Sequence, residues 1–161
     1  MSSFLTKKRA GQKVGLKGSL RLKHTRDSVV LLDKTIKNVV VNVGLAEVAG
    51  LINEVTSGGF TYLAIGVGTT PADATDNDLE SEITTGGGER AAAACSRVTT
   101  AETNDTAQMV KEWTFSASFS VTESGPFDAA AAGVLLAHQV FSAINVVADD
   151  KLEVTWKIQV S

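Results

Sequence analysis

Trp113-Thr-Phe-Ser-Ala-Ser-Phe-Ser-Val121 and Leu152-Glu-Val-Thr-Trp-Lys-Ile-Gln-Val160 decide the fold. In each, large apolar residues alternate with polar ones over nine positions. Successive side chains of a strand point to opposite faces, so this period of two means one face buried and one face wet. Trp113, Phe115, Phe119 and Trp156 become the anchors of one shared core. Burying each such side chain contributes about 1.5–3 kcal/mol. Both stretches are therefore read as strands, the first running unbroken from Trp113 to Val121.

Working outward, Gly133–Val140 reads as another strand and Asp149-Asp150 as the turn before the last one. Upstream, Ser19–Leu32 is short and strand-like, Asp33-Lys34 is a turn candidate, and Ile36–Val41 is β-branched. Asn42 has the chemistry of an N-cap. Behind it Leu45, Val48, Ala49 and Ile52 follow helical spacing, which predicts a helix over 43–54, its only substantial one. Phe60–Val67 is apolar on both faces near its end and reads as a central strand, stopped by Gly68-Thr69-Thr70-Pro71. Asp76 is placed to cap a single turn through Leu79 and Ile83. Arg90–Thr100 has alanines for helix and β-branched residues for strand. The hairpin partner that follows, with Asn104-Asp105 as turn, favours strand. Glu123–Asp128 reads as a tight connection whose Phe127 plugs the end of the core. The sum is a mainly β protein: an antiparallel β-sandwich or jelly-roll-like body of seven or eight strands with one short helix.

The 161 residues suffice for one domain. Charge is unevenly spread along them. Lys7, Lys8, Arg9, Lys13, Lys17, Arg21, Lys23 and Arg26 all precede the first acid, Asp27, so the remainder carries seven bases against 18 acids. A basic arm over residues 1–18, with Gly11, Gly15 and Gly18, is expected to precede a single β-rich domain over 19–161. Lys7, Lys8, Arg9, Lys13 and Lys17 are the expected contacts of that arm with an acidic protein surface. Phe4 is the arm's only aromatic, so no stacking platform for nucleic acid is expected. No apolar run approaches the roughly 18 residues of a membrane span, and no secretory leader is expected.

Chemistry is thinly represented. Cys95 stands alone after four alanines and reads as a small buried hydrophobe rather than a nucleophile. His138 lies in an apolar strand, where a satisfied structural residue is expected rather than a base. Gly66-Val-Gly-Thr-Thr70 ends a strand as a phosphate loop would, but no lysine–hydroxyl pair follows, so close packing is expected instead. Asp73, Asp76 and Asp78 lack the spacing of a calcium loop and read as solvated acids. No catalytic set, metal site or cofactor is expected.

Several strings resemble, in their order, small virion structural proteins of tailed bacteriophages. They are Asn42–Ile52 leading into Phe60–Thr70, then Asp78–Glu82, Arg90, Val121–Gly125, Phe127–Ala129, Leu135–Phe141 and Leu152–Lys157. The resemblance spans roughly residues 38–160 and leaves the arm uncovered. It implies a non-enzymatic building block of the virion, assembled in the host cytoplasm. One placement is a capsid decoration (cement) protein, a homo-oligomer bound to the major capsid protein and clamping neighbouring subunits through the arm. The other is a tail or tail-fibre-associated protein bound to tail proteins. The arm and the single-domain length favour decoration. A carbohydrate-binding β-sandwich is the reading from another class, and it requires exposed aromatics, of which only nine exist and four are assigned to the core.

Overall fold

In the computed structural model, which describes residues 14–161, two five-stranded antiparallel sheets pack face to face. The strands are β1 (Leu16–Arg26), β2 (Val29–Lys37), β3 (Val39–Val40), β4 (Tyr62–Gly66), β5 (Ala91–Ala92), β6 (Ala94–Val98), β7 (Thr106–Thr114), β8 (Phe119–Phe127), β9 (Ala137–Val146) and β10 (Lys151–Val160), and helix α1 is Asn42–Ile52. One sheet has the order β2-β1-β10-β7-β6, the other β3-β9-β8-β4-β5. The β-sandwich reading holds, with ten strands among the described residues rather than seven or eight. None of the helices there is long and apolar enough to cross a membrane.

The core lies between the sheets. Leu20, Leu22, Trp113, Phe115, Leu152, Val154 and Trp156 enter it from the first sheet and its corner, and Leu63, Ile65, Val121 and Ile144 from the second. Both tryptophans share this cluster, as their alternation requires, and Phe119 packs against it half-buried. Trp156 Nε1 donates to Ser124 Oγ at 3.0 Å and Trp113 Nε1 to the Glu89 carbonyl at 2.8 Å, so neither indole leaves a buried donor unpaired.

A second, smaller cluster sits on the outer face of the β8–β4 sheet. Val41, Ala64, Leu79, Phe127 and Leu135 form it. Leu63 and Ile65 face the main core while Ala64 between them faces this one. Thus β4 and β8 are covered on both sides, which is why Phe60–Val67 reads as a continuous apolar run.

The structure corrects several expectations. The Trp113–Val121 alternation is two strands, β7 and β8, in different sheets. The chain turns the corner at Phe115–Ser118 without losing parity, so the apolar set serves one core from both sides. Glu123–Phe127 is no connection but the buried second half of β8, beyond a bulge at Thr122. Phe127 is buried, but in the outer cluster rather than at the end of the core between the sheets. Asp33-Lys34 lies inside β2. The reversal comes earlier, at Asp27-Ser28, both with positive φ as the two central residues of a tight hairpin turn require.

In α1 the N-cap position is Val41, not Asn42, and no side chain caps it. Its predicted apolar face is largely turned outward: Leu45 and Ile52 are exposed, Val48 is half-buried, and Gly44 is the buried residue. A Cβ at Gly44 would overlap the Leu136 backbone, so close backbone approach selects the inner face, not hydrophobicity. Asp76 caps no helical turn. Leu16, Lys17 and Gly18, assigned to the arm, belong to β1, where Lys17 pairs with Gln159.

Candidate functional site

Three polar constellations and one sheet edge stand out. The first is built around Glu123, which is fully buried on the outer face of β8. Its Oε1 accepts hydrogen bonds from Gly68 N at 2.9 Å and Ser81 N at 2.7 Å, and its Oε2 from Glu80 N at 3.0 Å. His138 Nε2 donates to the same Oε2 at 3.0 Å, and its Nδ1 to Asp76 Oδ2 at 2.6 Å. A Cβ at Gly66 or Gly68 would overlap the Glu123 carboxyl. The Gly66-x-Gly68 motif therefore makes room for a side chain of the same protein.

Burial opposes the charge on Glu123, but His138 and the three amides outweigh it and hold its pKa below the ordinary value. Burial likewise opposes a charged His138, yet the hydrogen bonds to Glu123 and Asp76 raise its pKa. The arrangement is an imidazole ring clamped between two carboxylates, which favour its charged form. Both ring nitrogens are committed, so the ring has no free nitrogen to accept a proton from a bound molecule. What it does is fasten the Val67–Ser81 segment over the second cluster. Glu80 tightens the same segment, accepting from Thr69 N, Thr70 N and Thr70 Oγ1, and these bonds lower its pKa.

The second constellation pins the β1–β2 hairpin. Asp150, buried after β9, accepts a bidentate pair from Arg26 Nε and Nη2 at 2.8 and 2.7 Å, and a third bond from His24 Nε2 at 2.8 Å. The guanidinium is the main reason its pKa falls far below the ordinary value, with His24 and Val147 N adding to the effect against burial. In the third, Arg90 forks onto Glu82 and lies 3.5 Å over the Phe127 ring.

The edge is β2. Its outer side has no strand neighbour among the described residues, and Val29, Val30 and Leu31 are exposed in succession beside the hairpin tip. Lys34 lies opposite buried Leu22 and so faces inward, a charge that blunts the middle of the edge. Toward the tip a bulge leaves Leu31 unpaired with β1, and exposed Asp27 sits in the turn, yet Val29–Leu31 stay bare among the described residues. The sequence reading missed this surface because it ran Ser19–Leu32 as one strand-like stretch and put the turn at Asp33-Lys34. The register that turns it outward depends on the Asp27-Ser28 reversal.

The other predicted residues fall as follows. Lys7, Lys8, Arg9 and Lys13 lie outside the described residues, and Lys17 is on β1. Cys95 is exposed, contrary to expectation, because β6 is an edge strand. Asp73, Asp76 and Asp78 do not converge. Asp73 accepts from Thr75, Asp76 from His138, and Asp78 lies 3.8 Å from Arg90. His138 is a satisfied structural residue, as expected. Among the described residues every aromatic is buried or half-buried, so the flat platform that sugar binding needs is not on this surface. Compared with protein-family models, curated proteins and solved structures, the chain matches none.

Proposed function

We propose that the protein is a non-enzymatic structural component of a bacteriophage virion, a capsid decoration protein that binds the major capsid protein as an oligomer. The observation that carries this reading is the open β2 edge with Val29, Val30 and Leu31 bare at its tip. A strand edge offers a row of unpaired backbone groups, and apolar residues beside it add area to bury, a combination suited to subunit contact. Two features support it further. Buried charge clamps at Glu123–His138 and Asp150–Arg26 fasten the loops and the hairpin of the body rather than facing a ligand. The basic N-terminal run precedes an acidic body, so each copy carries a charge complementary to its neighbours. The order of sequence strings shared with small tailed-phage virion proteins makes the phage particle the place to test it.

The test is immunogold labelling of intact phage particles with antibody against this protein. Gold distributed over the head upholds the proposal. Gold confined to the tail replaces decoration by a tail-associated role, and unlabelled particles overturn the virion reading.

A further inference from the structure

Where β1 begins and β10 ends, the two sheets gape. The opening is an apolar groove of about 250 Å³ whose walls include Leu16, Val48, Phe60, Met109, Ile158 and Val160. It is smaller than the roughly 300–1,000 Å³ of pockets that hold small organic ligands, and its size suits one or two side chains of a peptide. Val160 at its rim is 52% exposed, so the surface is uncovered among the described residues.

We infer that this groove receives Phe4 and Leu5 from a second copy of the chain. Within residues 1–13 these two adjoin as a bulky apolar pair, followed by Lys7, Lys8 and Arg9. An apolar pair followed by cations is the pattern of an anchor with an electrostatic tether, and the wall needs an apolar anchor. Length allows the exchange. The eleven residues from Leu5 to Leu16 span up to about 36–40 Å when extended. The body has a radius of gyration of roughly 15 Å, so the reach covers a neighbouring copy.

Direction favours the neighbour over the chain's own groove. Gly15 N donates to the Ser161 carbonyl at 2.6 Å and Ser161 N to the Gly15 carbonyl at 2.9 Å. This reciprocal pair carries the β1–β10 ladder one residue past the groove, so the chain enters from outside it. A return within one chain would fold Lys7, Lys8, Arg9 and Lys13 back toward Lys17 of β1, where like charges repel. Crossing to a neighbour keeps them apart. The inference rests on the reading that the chain assembles, and it specifies the contact.

Cys95 lines the same groove, is exposed, and is the chain's only cysteine. It therefore reports occupancy. The experiment compares the rate at which a small aromatic disulfide reagent modifies Cys95 in the full chain and in the Phe4→Ser/Leu5→Ser variant. Both substitutions lie outside the described residues, and circular dichroism verifies that the β-rich body is unchanged. Expected is modification at least fivefold faster in the variant, and acceleration of the full chain on dilution toward that rate. Equal rates in the two proteins overturn the inference. Protection that persists on dilution also overturns it, since the tip then occupies its own chain's groove. The readout uses purified protein alone. Protected Cys95 with unlabelled phage particles upholds the groove and sinks the virion reading, and the opposite pattern does the reverse.

Discussion

Glu123 concentrates more polar bonds than any apolar neighbour could replace. Removing it leaves His138 and three amides without their acceptor in a buried place. Breaking a buried charged pair in this way costs about 3–5 kcal/mol, so Glu123→Ala is expected to lower the denaturant midpoint by a corresponding amount. The same residues set a pH window. Glu123 has its pKa lowered from 4.5, so its contribution is complete above that value and lost as pH falls through the lower folded one. His138 has its pKa raised from 6.5, so its contribution is complete below that value and lost as pH rises through the higher folded one. The clamp therefore stabilises most between pH 4.5 and 6.5. Urea unfolding followed from pH 4.5 to well above 6.5 is expected to find His138→Gln less stable within the window and without the native chain's decline above it. An unchanged alkaline decline would assign it to other groups. None of this is legible in the sequence by periodicity. A glutamate in a strand normally signals solvent. The available hints were two glycines with no side chains to pack and a histidine in an apolar run, and only the fold brings them together.

Among the elements, β10 was legible because Leu152, Val154, Trp156 and Ile158 are buried on one face while the polar Glu153, Thr155 and Lys157 take the other. The corner between β7 and β8 was not, since Trp113, Phe115, Phe119 and Val121 keep their parity through it and serve one core from two sheets. Helix α1 was legible in extent but not in orientation. Its inner face is selected by Gly44 against the Leu136 backbone, which leaves Leu45 and Ile52 outside. The hairpin edge follows similar logic: sequence places the strand, and the Asp27-Ser28 turn decides which residues are bare. At this scale, Leu31→Lys is expected to change stability by no more than about 0.5 kcal/mol, because the residue is exposed. It is also expected to lower the association state seen by sedimentation, since a charge on the tip extends the protection that Lys34 gives the centre. A variant that associates as the parent does would remove β2 from the subunit contact.

For the whole molecule, the charge division along the sequence was legible and the position of the body's first strand was not. Leu16–Gly18 are part of β1 and Gly15 pairs with Ser161, so a deletion meant to remove the arm alone must stop short of Gly15. Deleting residues 1–13 takes away Lys7, Lys8, Arg9 and Lys13 while leaving every described strand whole. The expected result is a body that still folds with weaker attachment to the particle. At about 0–1 kcal/mol per exposed pair, the electrostatic share is at most roughly 4 kcal/mol, and it should shrink with added salt. Attachment equal to that of the intact protein would exclude the arm from binding. One feature of the whole body has an engineering consequence. Gly15 and Ser161 are hydrogen-bonded to each other, so both described ends of the chain leave at one corner. A short linker could join them and new termini could open at Asn104, an exposed turn residue between β6 and β7. Such a circular permutant keeps both sheets in order while moving the basic run to the far end of a hairpin. It would separate what the arm does by its chemistry from what it does by where it is attached.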